Sequence, residues 1–405
     1  MSDYNLHTIR ELLGEAFSSG EITTLAFDLF HDIYQDFTAG MTRSTKIEMV
    51  VANANKKGRI PDLLKYVQEK NAYQYGRYAN KLKSPSPSQE AQPTSQTTTS
   101  PASSTQEPTF GIITALPKEM AAMRVMLDNV KPVDKISRKR PQRYYVGHIP
   151  ASSGGQHTIA LALMLDMGTN SAAALATRLL NDFPSIQDVI MVGIAGGVPS
   201  PGKVDDHVRL GDVVISDRNG IVQYDYVKEE IKERKERHPP RPPRANLLNA
   251  VNLLEVDALM GDKPWLPHFE RATNLNNAAR PPESEDILYN FTDPDNPVPI
   301  PHPFDRKRGA DQPRIFKGAI ASASILQKNP RIRDELGNKH GVKAIEMEGS
   351  GIANATWEMD SGYLVIRGIC DYCDPAKNDI WQEYAAVAAS AYTRALLESV
   401  PNISS

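Results

Sequence analysis

Residues 83–108 form a stretch that cannot belong to a packed core. The stretch reads KSPSPSQEAQPTSQTTTSPASSTQEP and has only Glu90 and Glu107 as acidic residues. Because Ser, Thr, Pro and Gln bury too little apolar surface to offset the entropy lost on folding, this composition predicts a disordered linker. The chain of 405 residues is therefore predicted to fold as two separate domains, 1–82 and 109–405.

The first domain carries apolar residues at helical spacing. They recur every three or four positions, as in Leu6, Ile9, Leu13 and Phe17. Farther along, Gly58 and Pro61 supply a helix stop and a helix start. The pattern predicts four short helices packed as a small bundle. Since catalytic residue types do not cluster here, both a recruiting role and a spacer role stay open.

The second domain alternates apolar β-rich runs with helical patterns. FGIITAL, DVIMVGIAGG and GYLVIRGI are examples of the strand-like runs. This alternation predicts a parallel or mixed sheet with helices on both faces. Ligands of such sheets collect beyond the carboxyl ends of the strands. Glu119, Asp371 and the turn at Gly193–Gly197 are therefore expected near one edge of the sheet.

Composition and charge exclude several classes of partner. A net charge of −3 and a pI near 6.3 give no overall positive field, so nucleic acid is not an expected partner. No run of about 18 apolar residues is present, and no membrane span is expected. With 2 cysteines the chain is not a disulfide scaffold, which favours the reducing cytoplasm.

The 2 cysteines, Cys370 and Cys373, form a C-x-x-C motif that follows a strand-like run. A structural zinc site needs four nitrogen or sulfur ligands, and this motif supplies only half of them. A redox motif would normally open a helix after a strand. Ordinary thiols in a loop are the favoured interpretation, and no metal or organic cofactor is expected.

Six separated motifs of the second domain occur in the order typical of one protein superfamily. They are GIITALPKEM, MGTNSAAALATRLL, VGIAGGVP, LGDVVISD, AIEMEGSGIA and VIRGICDYCD. Residues 109–400 thereby resemble the purine/uridine phosphorylase–nucleosidase superfamily, most closely the nucleoside-phosphorylase-like effector domains of NLR-type immune proteins. The resemblance implies an α/β fold, a three-layer sandwich around a mixed and partly barrel-like sheet, and a homo-oligomer.

The first domain also contains recognisable motifs. IRELLGEAF, LAFDLFHDIYQDF and KKGRIPDLLKYVQE resemble the effector-associated, death-fold-like domains at the N-termini of bacterial conflict proteins. This resemblance covers roughly residues 5–72. It implies association with a similar domain on another protein or on another copy of the chain.

The superfamily resemblance implies two catalytic carboxyl groups. Glu119 occupies the position of the acid that polarises the attacking water, and Asp371 that of the acid that protonates the purine at N7. This pair matches the inverting chemistry of glycoside hydrolysis, in which one group protonates the leaving group and another handles water. Many relatives have Ser before the aspartate, whereas this chain has Cys370, a weaker hydrogen-bond donor.

The same resemblance implies the substrate contacts. Glu348 would bind the ribose hydroxyls, Met347 would pack under the sugar, and Gly196 and Ile320 would also contact the substrate. Taken alone, each acid could equally be a helix cap, because acids complement the dipole at helix N-termini.

Water is the expected nucleophile. One phosphorylase branch binds phosphate with an Arg that begins R-V-G-S-C-G, but here Met191 and Ile194 replace its Arg and Ser. An anion without such partners would be poorly compensated. Arg306 and Arg308 belong to a basic run, and an arginine cluster would suit a polyphosphate tail. Together with the resemblance to ATP-depleting effectors, this predicts an adenine nucleotide substrate, ATP or dATP.

The sequence thus favours an N-glycosidase that splits adenine from an adenine nucleotide, as an immune effector recruited by its helical domain. Two alternatives stay open. One is a purine nucleoside phosphorylase or a methylthioadenosine or AMP nucleosidase. The other is a non-catalytic module that senses a nucleotide or assembles a signalling filament.

Overall fold

The computed structural model describes residues 4–38, 41–79, 82, 107–137, 140–229, 234–236 and 241–402. Its contacts divide the chain into two units, Met1–Pro101 and Ala102–Ser405. Of the predicted linker, residues 83–106 lie outside the described part. The predicted domain boundaries therefore stay predictions.

The described part of the first unit contains six helices instead of the four predicted from the sequence. They are α1 Leu6–Ala16, α2 Ser19–Leu29, α3 His31–Tyr34, α4 Arg43–Lys56, α5 Ile60–Lys70 and α6 Ala72–Tyr78. The backbone of Phe30 leaves the helical region (φ −136°, ψ 56°) and separates α2 from α3. Asn71 does the same between α5 and α6. These breaks carry neither Gly nor Pro, so the apolar spacing alone could not place them.

Local signals fix the starts of two of these helices. Ser18 and Glu21 form a capping box at α2, in which the Glu21 N–H donates to Ser18 Oγ and the Ser18 N–H donates to a Glu21 oxygen. Pro61 stands in the first turn of α5, where its missing N–H costs nothing. The apolar faces of the helices pack around one buried core that includes Ile9, Leu25 and Leu63.

The second unit is built on a mixed sheet of 9 strands in the order β12-β11-β6-β13-β5-β1-β4-β3-β2. These strands are β1 Phe110–Thr114, β2 Asp128–Ser137, β3 Arg140–Pro150, β4 Gln156–Leu163, β5 Asp188–Gly197, β6 Val213–Gln223, β11 Ile315–Ser322, β12 Val342–Glu346 and β13 Gly362–Asp371. Short strands outside this sheet are β7 Val227–Glu229, β8 Arg234–Glu236, β9 Leu288–Asn290 and β10 Val298–Ile300.

Part of the sheet closes on itself. β12 runs parallel to β11 on one side and pairs antiparallel with the end of β5 on the other, where Ala344 faces Gly197 and Ile345 faces Gly196. Strands β5, β13, β6, β11 and β12 thus form a barrel-like ring. Because β1, β5 and β13 are parallel neighbours, their carboxyl ends meet at one edge of the sheet.

Helices cover both faces of this sheet. They are α7 Pro117–Val125, α8 Thr169–Asp182, α9 Ala245–Leu259, α10 Pro330–His340, α11 Gly349–Glu358 and α12 Gln382–Ser399. One core cluster contains apolar side chains of α8 and α11, and a second contains those of α7, α9 and α12. In the described part of the chain, no helix is long and apolar enough to cross a membrane.

Candidate active site

A cavity of about 320 Å³ opens where β1, β5, β12 and β13 end. The residues after β1 and the first turn of α7 form one wall, and the end of β5 forms another. The β12–α11 junction and the loop after β13 complete it. Five of the predicted site residues line this one cavity: Glu119, Gly196, Met347, Glu348 and Asp371.

Glu119 is held rigidly at the start of α7. One of its oxygens accepts hydrogen bonds from the N–H groups of Ala115 (2.7 Å) and Leu116 (2.9 Å). The other accepts from Ile194 N–H at 2.8 Å, which ties α7 to the end of β5. Burial raises the pKa of Glu119, and the charge of Arg367 and these hydrogen bonds oppose the rise. A carboxylate with a raised pKa is a stronger base toward water.

Arg367 joins the two glutamates at the β12–α11 junction. This arginine lies in the middle of β13 with no exposed surface, and its Nη2 donates to Glu346 and, at 3.1 Å, to Glu348. Glu346 also accepts from the N–H groups of Glu348 and Gly349, and thereby caps α11. The second oxygen of Glu348 accepts from Gly168 N–H at 3.1 Å.

Glu348 is poised to change its charge near neutral pH. Burial raises the pKa of Glu348, the charge of Arg367 opposes this rise, and the neighbouring Glu346 and Glu119 carboxylates add to it. The resulting pKa is about 7. A carboxylate in this position can accept hydrogen bonds from sugar hydroxyls.

The Asp371 carboxylate sits at the end of β13 among several donors. Its Oδ1 accepts from the N–H of Cys373 at 2.9 Å. Its Oδ2 accepts from the Cys370 thiol at 3.2 Å and from the Lys377 ammonium at 2.7 Å. The aspartate is therefore fixed in place and faces the same cavity as Glu119 and Glu348.

Two glycines of the GIAGG turn make room for these side chains. A Cβ on Gly193 would lie 2.4 Å from Glu119 Oε1 and 2.4 Å from an Arg367 nitrogen. A Cβ on Gly196 would lie 2.1 Å from Cys373 Sγ and 2.8 Å from Asp371 Oδ1. The glycine-rich sequence thus lets the acidic side chains approach the strand end closely.

The mouth of the cavity is apolar on one side and polar on the other. Met167, Ile325 and Leu326 line it and are about half exposed. Gln382, at the start of α12, lines it as well and accepts a hydrogen bond from the Lys118 ammonium at 2.8 Å. An apolar base or sugar edge and a polar substituent can both be accommodated there.

Three predicted substrate contacts do not reach this cavity. Ile320 is fully buried in β11, where it packs into the core. Arg308 donates from both terminal nitrogens to Asp212 (2.6 and 2.7 Å) and lines a different cavity. Arg306 is exposed and is not among the residues that line the site. The assignment of these residues to the substrate is corrected, since a basic run in the sequence does not show which acids neutralise it.

Three charged residues of the site were missed by the sequence interpretation: Glu346, Arg367 and Lys377. Arg367 did leave a signal, because a charged residue inside the apolar run GYLVIRGI must have a partner if it is buried. Periodicity and composition did not single out Lys377, because its loop is irregular and its contact with Asp371 depends on the path of the chain.

Both cysteines and Trp381, at the end of β13 and in the loop that follows it, are buried. Cys370, in β13, and Cys373, in the loop that follows it, are free and buried thiols. Within the described residues, no group of three or more His, Cys, Asp or Glu side chains is arranged to hold a metal ion. Trp381 is fully buried and donates to Glu285 O, as a core residue would.

Comparison with known families agrees with both resemblances. Residues 109–400 match the phosphorylase superfamily, and residues 9–72 match effector-associated domain 7. The observed mixed sheet with helices on both faces confirms the predicted fold.

Curated relatives include proteins of three kinds. An NLR-like protein of Hyaloscypha variabilis is 32% identical over 308 residues, which cover 73% of this chain and 30% of that protein. A 5'-methylthioadenosine/S-adenosylhomocysteine nucleosidase of Mycobacterium bovis is 26% identical, and the match covers 72% of this chain and 97% of that protein. The ATP nucleosidase Cap17 of Escherichia coli is 24% identical, and the match covers 72% of this chain and 51% of that protein. The chain thus spans less than a third of the NLR-like protein and about half of Cap17.

Proposed function

The chain belongs to the phosphorylase superfamily, and from this premise we propose that its second unit is a purine nucleosidase. The enzyme is an N-glycosyl hydrolase that uses water to cleave the bond between the purine and the sugar. The observation that carries the proposal is the convergence of Glu119, Glu348 and Asp371 on one cavity, although they are far apart in the sequence.

Each acid has a task that fits its surroundings. Asp371 passes a proton to N7 of the purine, so that the base leaves as a neutral molecule. Glu119, whose pKa is raised by burial, takes a proton from the water that attacks C1′. Glu348 accepts hydrogen bonds from the ribose hydroxyls. The two proton transfers act on opposite sides of the bond that breaks, as in inverting glycoside hydrolysis.

Water is favoured over phosphate by the charges of the cavity. Of the described residues that line it, Lys377 alone is cationic, and Asp371 already neutralises it. Arg367 is buried behind the wall and paired with two glutamates. A phosphate ion would therefore meet several carboxylates without a free cation, at a large desolvation cost.

An adenine nucleotide, ATP or dATP, is the proposed substrate. The similarity to Cap17, named as an ATP nucleosidase, supports this choice. Arg306 and Arg308 do not supply the charge for a polyphosphate, but Lys118 lies beside Gln382 at the mouth of the cavity. Its ammonium is partly exposed and paired with Glu383 at 2.8 Å, and it can turn to a 5′ phosphate group.

The first unit is proposed to act as an adaptor. Its match to an effector-associated domain and the NLR-like relative support a role in immunity, in which residues 1–82 recruit a similar domain and residues 83–108 act as a linker. We include a homo-oligomer in this proposal. Loss of ATP would stop an infected cell, which is the reason for coupling the enzyme to a recruiting domain.

The test is to incubate the full chain with ATP, dATP, AMP, adenosine or methylthioadenosine, with and without phosphate, and to measure free adenine by chromatography. Asp371→Asn keeps the shape of the side chain but cannot give up a proton in the same way, and should lower the rate by about 10²–10⁴. Asp188→Asn is the matched control, because Asp188 is also buried, lies at the start of β5 far from the strand ends that carry the site, and does not line the cavity.

Each alternative predicts a different result. Adenine release that depends on phosphate would indicate a phosphorylase, and activity confined to methylthioadenosine would indicate a nucleosidase of thioether nucleosides. Tight nucleotide binding without adenine release would overturn the enzymatic proposal in favour of a sensing module.

A further inference from the structure

Lys377 contacts Asp371, the side chain that is proposed to protonate the leaving purine. Its ammonium is 2.7 Å from Asp371 Oδ2, and its side chain is 19% exposed and lines the cavity. The loop between β13 and α12 fixes this position. The N–H of Lys377 donates to Asp374 O at 3.2 Å, and the N–H of Ala376 donates to the Asp374 carboxylate at 3.0 Å.

We propose that Lys377 is a positioning residue that resupplies the proton which Asp371 passes to the purine. The inference rests on the proposed nucleosidase function. A carboxylate that is paired with a cation must receive a proton before it can pass one to the purine, and the lysine ammonium in direct contact can supply that proton. The acid of this site is then the Lys377–Asp371 pair.

The step balances as follows. The bond from C1′ to N9 breaks, and its electron pair stays on the purine. The Lys377 ammonium gives a proton to the Asp371 carboxylate and becomes a neutral amine, and Asp371 passes a proton to N7. Water adds hydroxide to C1′ and leaves its proton on Glu119. Lys377 then regains a proton from solvent at the cavity mouth, and Glu119 releases one.

The surroundings of Lys377 favour this role. Burial alone would lower the pKa of Lys377, but the Asp371 carboxylate outweighs burial and raises it, so the residue is an ammonium at neutral pH. The neighbouring Cys370 and Cys373 cannot substitute as charged groups, because burial and the Asp371 charge raise the pKa of both thiols well above the ordinary value. The purine becomes more basic as it gains the electron pair, which draws the proton across the pair.

A substrate that needs no proton provides the decisive test. A purine nucleoside methylated at N7 already carries the positive charge, and its base leaves as a neutral molecule without an acid. Lys377→Met should lower kcat/KM for the adenine nucleotide that the wild type cleaves by about 10²–10⁴. With the N7-methylated form of the same nucleotide, the variant should stay within about threefold of the wild type, because the proton transfer that it impairs is not needed.

Lys377→Arg tests whether Lys377 acts by supplying a proton or only by placing a positive charge beside Asp371. Arginine keeps a cation beside Asp371 but does not give up its proton in proteins. We expect this variant to lose at least about tenfold in kcat/KM on the unmethylated nucleotide and little on the methylated one. Full activity of the arginine variant on the unmethylated nucleotide would overturn the proposal that Lys377 supplies the proton. This variant retains the ion pair, so it also replaces the methionine variant if that one does not fold.

Lys343→Met is the matched control. Lys343 is a similarly buried lysine that pairs with Asp206 at 2.6 Å and does not line the site. It should affect both substrates equally and slightly. Equal losses on both substrates in the Lys377 variants would indicate a structural role and overturn the inference. A wild type that releases no adenine from any substrate would overturn the proposed function itself, which distinguishes the two failures.

Discussion

Replacing Arg367 with methionine should destabilise the second unit strongly. The side chain of Arg367 is fully buried and paired with Glu346 and Glu348, whose own side chains are 1% and 6% exposed. The variant leaves these carboxylates, and the nearby Glu119, without their buried cation. Breaking a buried ion pair costs about 3–5 kcal/mol of unfolding free energy. At about 2 °C per kcal/mol for a domain of this size, the melting temperature should fall by roughly 6–10 °C.

The loss should depend on pH in a defined direction. Burial raises the pKa of Glu348 to about 7 even with Arg367 present. A carboxyl group whose pKa is raised by folding stabilises the fold at low pH, and this contribution is lost as the pH rises through the folded value. In Arg367→Met the glutamates can take up protons at pH 5.5 but not at pH 8.5, so the variant should lose less stability at the lower pH.

Calorimetry of the full chain at both pH values measures this difference. Arg394→Met is the matched control. Arg394 is also buried, but its acidic partners Asp128 and Glu398 are about one-third exposed, so solvent can compensate them. The control variant should lose less unfolding free energy than Arg367→Met, and its loss should differ little between the two pH values. An equal loss at both pH values in Arg367→Met would refute the argument that uncompensated carboxylates cause the destabilisation.

Three further predictions concern activity. Because burial raises the pKa of Glu348 to about 7, the wild-type kcat/KM should rise between pH 6 and 8, and Glu348→Gln should lose this step as well as at least about tenfold in rate. Gly196→Ala should lower kcat at least about tenfold, since its Cβ would lie 2.1 Å from Cys373 Sγ, and adding Cys373→Ala should restore part of the loss. Cys370→Ser should raise kcat about two- to threefold, because a hydroxyl is a better donor than a thiol to the aspartate carboxylate 3.2 Å away. Steady-state rates of adenine release test all three, and an unchanged pH profile, an active Gly196→Ala or a slower Cys370→Ser would contradict them in turn.

The sequence correctly predicted that residues following several strands meet in one site, and the reason is physical. Parallel strands β1, β5 and β13 bring their carboxyl ends to one edge, so residues that follow these strands meet in space. Glu119 and Asp371 could therefore be brought together from the alternation of elements and from the family motifs. Glu348 required the motif alone, because β12 joins β5 through an antiparallel closure that alternation does not reveal.

The charges that complete the site could not be placed in the same way. Lys377 and Arg308 both lie in irregular loops with other charged residues nearby. Arg308 was the stronger candidate for a phosphate contact, because three other basic residues belong to the same run. In the structure Arg308 is neutralised by Asp212, which follows a turn 96 positions earlier in the chain, whereas Lys377 reaches Asp371 through a loop of a few residues. Partner choice is set by the path of the loops and by burial, and neither follows from composition. The role of a positive charge in a site can be inferred only when the acid that neutralises it is known. Lys377, which lies inside the cavity and pairs with Asp371, is therefore the residue whose replacement should affect the unmethylated substrate but not the N7-methylated one.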